Sequence, residues 1–402
     1  MNNSIIGFID KVCNEVDCKN ARKYIKEELE SHILDSVEYY KANGLNENNS
    51  INEALTDIGN PVEIGKKLNK IHKPKHEVSV LIGFTLLIIS GFIIGRKIGT
   101  AELYYFNYVF FIAASVLLVF FMGYFLNYKK IQNHGILICL IGLICVYIYY
   151  IAKSQGNSID LLHFYKHQAS SISIPFFIIA YVKISAEKNS EFKSILTFVI
   201  TSLLVIILLP KIGIYTSILT VIVTISVTAN FLYEKFKLQK SRKYIYFFTA
   251  SFFLLLFIAY LSNNVGLYNS IPVNNNANNT DINLRSEYVI QFVLSDMGRL
   301  YAYSIIGISL FMVLRMFAAA YKINDLFGRL FVISTASILF AEIILNLFVA
   351  LEIIPYIEGA HLPFISYSKT NYLINLSLIS LSMGIYRRKD MVFESSVIDV
   401  EQ

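Results

Sequence analysis

The chain has 402 residues, of which 55% are hydrophobic and 16% are charged, with a mean hydropathy of +0.53 and a formal net charge of +6. Soluble domains carry roughly 25% charged residues, so this composition excludes an ordinary soluble protein. Apolar runs of about 17–25 residues, the length of a membrane-spanning helix, recur from Val78 onward. The sequence therefore predicts an all-α, polytopic membrane protein.

The first 77 residues are different in character, because they hold 11 Lys/Arg and 13 Asp/Glu. Five apolar residues in this part recur at helical spacing and predict one buried stripe: Ile25, Leu29, Ile33, Val37 and Tyr40. We predict a small cytosolic helical module over residues 1–77. A charged cytosolic tail without a fold of its own is the alternative.

Three local sequence signals predict where the helices of this module begin and end. Gly44 predicts the end of the long amphipathic helix. Ser50 followed by Glu53 predicts a capping box at the start of the next one. Asn60 and Pro61 predict a third helix that begins with an N-cap and a proline in its first position.

From Val78 onward the apolar runs predict ten transmembrane helices, at approximately 78–95, 104–126, 135–152, 170–186, 194–209, 214–233, 244–262, 288–320, 330–354 and 370–386. The predicted inner loops hold fifteen Lys/Arg and the outer loops seven, in agreement with the positive-inside rule. We therefore expect a multi-pass protein of the cell membrane with both termini cytosolic and a cytosolic tail at 391–402. The eighth segment is too long for one upright helix, and we expect it to extend beyond the lipid or to break near Gly298.

The four cysteines form no pair or histidine cluster at metal-ligand spacing. We therefore expect no disulfide, no metal and no cofactor. The scattered histidines His163, His167 and His361 are expected to be interfacial side chains.

Several stretches of the predicted membrane domain carry polar residues inside apolar runs. They read "HQASSISIPFFIIAYV", "LLPKIGIYTSILTVIV", "RSEYVIQFVLSDMG", "FGRLFVISTASILFAEIILN" and "GAHLPFISYSKTN". In this order they resemble motifs of the SEDS family of FtsW, RodA and SpoVE proteins, over residues 78–390. At "CKNARKYIKEELESHI" and "EALTDIGNPVEIGKKLNKIHKPK", residues 1–77 resemble the prefix domain that low-GC Gram-positive bacteria attach to permeases.

The SEDS resemblance implies the polymerisation of lipid II, or a related undecaprenyl-linked glycan, at the outer face of the membrane. It also implies a class B penicillin-binding transpeptidase and membrane lipid as partners, and no nucleic acid. The family's catalytic Asp corresponds to Glu287, whose carboxylate would take the proton of the attacking sugar hydroxyl. Substrate-binding positions are implied at Gln168, Lys211, Asp296, Ser366 and Lys369.

Other positions depart from the family's pattern. Ser171 stands where the family has Glu, and Lys211 stands where it has Asp.

Three functions are therefore possible for this chain, each within cell shape, division or sporulation. The first is a divergent glycosyltransferase. The second is a catalytically degenerate SEDS-fold protein that binds lipid-linked precursor or a partner and regulates envelope synthesis. A transporter of lipid-linked precursor is the least favoured.

The polar residues also have simpler interpretations. Glu287 is either a catalytic base or an acid at a helix N-terminus. Asp296 either lines a cavity or pairs with a cation, with Lys211, Arg285 and Arg299 as candidates. Glu342 and Asn346, one turn apart, are expected to be a buried hydrogen-bonded pair. Lys369 either contacts lipid phosphate or snorkels to the interface. We expect the outer loops 263–287 and 355–369 to converge on one polar cavity near Glu287, Asp296 and Ser366.

Overall fold

A computed structural model describes residues 3–17, 19–72, 75–97, 102–135, 174–183, 289–351, 361–365 and 369–389, with residue 186 and a few positions between 137 and 147. Within these residues all regular secondary structure is helical. The chain divides into two compact units, one of Met1–His76 with Arg387–Gln402 and the other of Glu77–Tyr386.

The first unit contains four helices around a small apolar core. They are α1 (Asn3–Asn14), α2 (Lys19–Ala42), α3 (Glu47–Ile58) and α4 (Pro61–His72). Helix α1 packs against α2 and α4, and α2 packs against α3. The predicted stripe of α2 faces this core, since Ile25, Ile33 and Val37 are buried and Leu29 and Tyr40 pack against its edge. The predicted amphipathic helix is thereby confirmed.

Two of the three predicted helix boundaries are confirmed. Helix α2 ends just before Gly44, whose φ of +90° is a left-handed conformation that glycine adopts without steric cost. Helix α4 begins at Pro61, and the Asn60 side chain accepts a hydrogen bond of 2.9 Å from the Val62 amide.

The predicted capping box at Ser50 is wrong. Helix α3 begins at Glu47, where the Asn46 side chain accepts a 2.9 Å hydrogen bond from the Asn49 amide. Asn46 is as good an N-cap as serine and stands four residues earlier, so the helix gains a full turn. Ser50 lies inside that turn, and its hydroxyl donates to the Asn46 carbonyl. Its burial beside Ile51 places this turn in the core.

The second unit holds the apolar helices. Its described elements are α5 (Val78–Lys97), α6 (Glu102–Ser115), a π-helical turn (Val116–Phe120), α7 (Phe121–Phe125), α8 (Tyr128–Asn133), α9 (Ile174–Lys183), α10 (Val289–Asp296), α11 (Arg299–Ala320), α12 (Leu326–Ala350) and α13 (Lys369–Arg387). Helix α11 packs against both α5 and α12.

Three described helices are long and apolar enough to cross a membrane: α5, α11 and α12. The predicted spans at 194–209, 214–233 and 244–262 lie outside the described residues. The chain is therefore a helical protein with candidate membrane spans, while the number of ten remains a prediction.

The predicted break of the eighth segment is confirmed. Helix α10 ends at Asp296 and α11 begins at Arg299. Gly298 between them has a φ of +94°. A left-handed residue turns the chain out of the α-helical path, and a side chain there is disfavoured. The long apolar run is thus one short helix followed by one of full spanning length.

Two charged contacts hold helix ends together in this unit. Glu77 precedes α5 and its side chain is 7% exposed, while Arg315 lies on α11; the two form a salt bridge. Ser79 also donates a 2.7 Å hydrogen bond to Glu77. Burial raises the pKa of Glu77, but hydrogen bonds from Ser79, Arg315 and Tyr386 outweigh it, so the net pKa lies below the usual value. The carboxylate is therefore ionised at neutral pH.

The second contact lies at the start of α12. The Asp325 carboxylate caps this helix by accepting a 2.8 Å hydrogen bond from the Gly328 amide. It also forms a 2.7 Å salt bridge with the Lys129 ammonium of α8. One carboxylate therefore both caps α12 and ties it to α8.

Candidate functional site

The structure describes two of the six predicted site residues, Asp296 with its side chain and Lys369 as the first residue of α13. The other four lie outside the described residues: Gln168, Lys211, Glu287 and Ser366. The predicted convergence of loops 263–287 and 355–369 on one cavity also lies outside them, except for residues 361–365.

Asp296 is exposed at the end of α10. It accepts a 2.9 Å hydrogen bond from the Ser295 hydroxyl. The ion pairs among the described residues do not include one between Asp296 and Arg299, although Arg299 follows at the start of α11. Of the three candidate cations, Arg299 therefore forms no ion pair with Asp296 in the described part of the chain. Lys211 and Arg285, the other candidates, lie outside the described residues.

The described part of the motif at 359–371 is a tightly packed turn, His361–Ile365. Leu362, Phe364 and Ile365 are each at most 2% exposed. Phe364 has a φ of +64°, an uncommon left-handed conformation for a bulky residue that costs on the order of 1–3 kcal/mol. Such a conformation persists only where the surrounding packing fixes it.

Helices α5 and α13 supply that packing. The Phe364 ring lies edge-on to Phe84 of α5 at 5.0 Å and to Tyr372 of α13 at 6.0 Å between ring centroids. Gly91 of α5 lies so close that a Cβ there would stand 2.9 Å from the Phe364 carbonyl oxygen. A glycine is needed at this position because the turn backbone touches the helix backbone. The chain is thus held rigidly just before Ser366.

His361 opens this turn and is more buried than the sequence analysis expected. The residue is half-buried, and its Nδ1 atom is completely buried. Burial lowers the pKa of His361 to about 4, since the charged imidazolium loses its hydration. The imidazole is therefore neutral at physiological pH. Its apolar neighbours Ala360 and Leu362 are only a weak sequence signal for this burial.

A second polar region lies between α12 and α13. Glu342 is 3% exposed and Asn375 2%. The Asn375 amide donates a 2.7 Å hydrogen bond to the Glu342 carboxylate. The predicted burial of Glu342 is confirmed, and one donor to its carboxylate lies on the neighbouring helix. Its pairing with Asn346 stays a prediction. Ser382 of α13 likewise donates a 3.1 Å hydrogen bond to Thr335 of α12. Polar side chains therefore fix the pairing of these two helices.

The part of the chain that the structure describes contains no set of side chains that could bind a metal ion. Within it, no three His, Cys, Asp or Glu side chains cluster closely enough to hold an ion. The described geometry instead supplies neutral hydrogen-bonding groups beside a rigid turn, and one exposed carboxylate next to a bend.

Part of the chain is similar in sequence to a known family. Residues 286–391 match the family model FtsW/RodA/SpoVE, described as cell cycle protein. The matched segment contains Glu287, Asp296, Ser366 and Lys369. A curated relative, the probable peptidoglycan glycosyltransferase FtsW of Caulobacter vibrioides, is 25% identical over 113 residues. That alignment covers 28% of this chain and 29% of the relative, so the chain matches less than a third of its length.

Solved structures with the same fold cover more of the chain. Rod shape determining protein RodA of Thermus thermophilus matches with a TM-score of 0.58 and 14% identity, covering 78% of this chain and 97% of RodA. A point mutant of that protein gives a TM-score of 0.59, at 14% identity and coverage of 78% and 98%. A chain of a peptidoglycan synthase complex gives 0.57, at 15% identity and coverage of 78% and 98%.

These likenesses agree with the order of motifs in the sequence. The family match and the curated relative concern sequence, and the RodA structures concern the fold. Residues 286–391 thus resemble the FtsW/RodA/SpoVE family of cell cycle proteins, and the chain has the fold of RodA.

Proposed function

We propose that this protein is a divergent lipid II-dependent peptidoglycan glycosyltransferase that acts in cell shape, division or sporulation. The observation that carries the proposal is the family match at 286–391, because this segment contains Glu287, which we propose as the counterpart of the family's catalytic Asp. The RodA fold over 78% of the chain supports it.

In the proposed mechanism Glu287 is the general base. Its carboxylate takes the proton of the sugar hydroxyl that attacks the lipid-linked sugar, and the diphosphate leaves with its lipid. Glutamate retains the carboxylate of the family's aspartate and adds one methylene, so the base reaches further from its backbone. Positioned groups around the leaving diphosphate stabilise its developing charge.

Five further residues are proposed to bind the substrate: Gln168, Lys211, Asp296, Ser366 and Lys369. Two described features support parts of this set. The bend at Gly298 ends α10 at Asp296, and Glu287 precedes the other end of this short helix. The rigid turn at Phe364 holds the chain immediately before Ser366. We propose that loops 263–287 and 355–369 converge there on one extracytoplasmic cavity.

A class B penicillin-binding transpeptidase is the proposed partner. The likeness to a chain of a peptidoglycan synthase complex supports it, since that complex couples polymerisation with crosslinking. We further propose that residues 1–77 are a cytosolic prefix domain, that 78–390 are the membrane domain, and that the tail at 391–402 returns to the cytosol.

A catalytically degenerate protein is the second candidate function. Ser171 stands where the family has Glu, Lys211 reverses the charge of the family's Asp, and Ser295 with Asp296 replaces a Glu pair. Loss of these charges favours a protein that binds lipid-linked precursor or a partner and regulates envelope synthesis without catalysis.

The discriminating experiment uses the purified full-length protein in detergent or proteoliposomes with labelled lipid II. Glycan strands are resolved by gel electrophoresis, with and without a candidate class B transpeptidase. A divergent enzyme gives polymer in at least one of these conditions. A degenerate protein binds the labelled lipid but yields no polymer under any of them. Absence of both binding and polymer would contradict both candidate functions.

A further inference from the structure

The charges of the four-helix unit are distributed unevenly among its helices. Helices α1 and α2 each hold as many basic residues as acidic ones. Helix α3 holds three acidic residues and no basic one. Helix α4 holds three lysines and one acidic residue, Glu63. The net positive charge of these helices is therefore concentrated on α4, the last of them in the chain.

The lysines of α4 lie on the side of the helix that faces away from the core. Ile64 and Leu68 pack against the apolar core of the unit. The exposed lysines on the other side are Lys66, Lys67 and Lys70, which we call the lysine face. The ion pairs among the described residues include none of these three side chains. The lysine face is thus an exposed cationic surface.

Chain connectivity keeps this surface close to the membrane. Helix α5 begins at Val78 and is long and apolar enough to cross a bilayer. Helix α4 ends at His72, six residues earlier, and six residues reach at most about 22 Å. No other helix of the unit is as near to α5 along the chain. A bilayer surface is therefore always within reach of the lysine face, whereas a free partner must be recruited from solution.

Further cations gather where the chain enters α5. The backbone amide of Lys75 donates a 3.2 Å hydrogen bond to the Arg387 carbonyl oxygen at the end of α13. Lys75 is exposed, and Arg388 and Lys389 follow Arg387 directly. Basic residues from two distant parts of the sequence thus meet beside a candidate span. Clusters of about 4–8 Lys/Arg next to a transmembrane helix are typical of surfaces that bind anionic lipid headgroups.

We propose that the lysine face of α4 is a docking surface for anionic phospholipid headgroups and holds the four-helix unit against the membrane. One lysine near an anionic surface favours docking by about fivefold. Glu63 shares the exposed side of the helix and offsets about one lysine, so the face as a whole favours docking by roughly 25-fold. This interaction is separate from the proposed glycan chemistry and does not depend on it.

Lysine acylation of the full-length protein in lipid nanodiscs tests this docking. An uncharged acylating reagent modifies exposed amines, and mass spectrometry of peptides gives the rate at each lysine. The nanodiscs contain phosphatidylcholine alone or phosphatidylcholine with anionic phosphatidylglycerol. Lys11 of α1 and Lys26 of α2 are also exposed and are internal controls in the same sample.

The lysine face should react roughly three- to tenfold more slowly in the anionic nanodiscs at about 0.1 M salt. The difference should disappear at about 1 M salt, where charges are screened over about 3 Å. Lys11 and Lys26 should react equally in both nanodiscs. In the variant Lys66→Gln/Lys67→Gln, the remaining Lys70 should lose its protection. The matched variant Lys11→Gln/Lys26→Gln removes the same charge from other helices and should leave Lys70 protected.

Three results would overturn the proposal. Equal rates for the lysine face in both nanodiscs would show that anionic lipid does not contact it. Slowing of Lys11 and Lys26 as strong as that of the lysine face would show that the lipid charge does not act on α4 in particular. Protection by added RNA, without protection by phosphatidylglycerol, would assign the surface to a nucleic acid. Each result leaves the proposed function standing, since none involves glycan polymerisation.

Discussion

Substitution of Gly91 by alanine tests the packing that holds the Phe364 turn. The added Cβ would lie 2.9 Å from the Phe364 carbonyl oxygen and 3.5 Å from the Ile365 Cα. Ordinary van der Waals contact begins at 3.4 Å, so α5 and the turn must separate by about half an ångström. Overpacking of this kind costs about 1–3 kcal/mol in the free energy of unfolding. The turn cannot absorb the shift locally, because Phe364 is already in a left-handed conformation.

Thermal unfolding of the detergent-purified protein measures this effect, with Gly307→Ala as the matched control. Gly307 lies inside α11, and a Cβ there would have no atom within 4 Å. Alanine is the better helix former by roughly 0.5–1 kcal/mol, so the control should melt at or above the wild-type temperature. A Gly91→Ala protein as stable as Gly307→Ala would refute the close contact between α5 and the turn.

Three further predictions concern charged groups. Glu77→Gln should lower the free energy of unfolding by about 1–3 kcal/mol, because it removes the charge that Arg315 and Ser79 contact. A double-mutant cycle with Arg315→Gln measures the interaction energy between Glu77 and Arg315. Asp325→Ala should cost about 1–2 kcal/mol in thermal unfolding, since α12 loses its cap and its salt bridge to Lys129. The wild type should lose about 3 kcal/mol as the pH falls from 6.5 to about 4, and His361→Gln should flatten that pH dependence of unfolding.

Proton binding at His361 and at Glu77 sets how the stability of the protein changes with pH. The unfolded chain binds a proton at His361 below pH 6.5, whereas the folded protein does so only near pH 4, so acid favours unfolding in that window. Glu77 has a lowered pKa, so its contribution to stability is present above its ordinary pKa of 4.5 and is lost as the pH falls from there through the lower pKa of the folded state. Stability of Glu77→Gln equal to the wild type at pH 7 would contradict the described salt bridge. A stability curve for His361→Gln as steep as that of the wild type would show that another group carries the acid sensitivity.

Local signals in the sequence predicted the features that depend on a few neighbouring residues. The apolar stripe of α2 follows from helical periodicity, and the ends at Gly44 and Gly298 follow from the conformational freedom of glycine. Asn46 was missed because two good N-caps stand four residues apart. Burial of Ser50 and Ile51 decides between them, and that burial depends on tertiary packing.

Features that join distant parts of the chain were harder to predict from the sequence. The hydrogen bond from Asn375 to Glu342 spans two helices, and no local pattern indicates which polar residue of α13 faces α12. The left-handed conformation of Phe364 likewise depends on contacts with α5 and α13. Periodicity predicts which face of a helix is apolar, but it does not specify the partner of a buried polar atom.

Polymerisation of labelled lipid II by Glu287→Gln tests the central proposal most directly. Asp281→Asn is the matched control, because it makes the same carboxylate-to-amide change in the same predicted outer loop. If Glu287 is the general base, its loss should slow polymerisation by about 10²–10⁴-fold while Asp281→Asn stays close to the wild type. Both variants should remain monodisperse and melt like the wild type. Polymerisation that survives in Glu287→Gln at the wild-type rate would contradict the proposed mechanism.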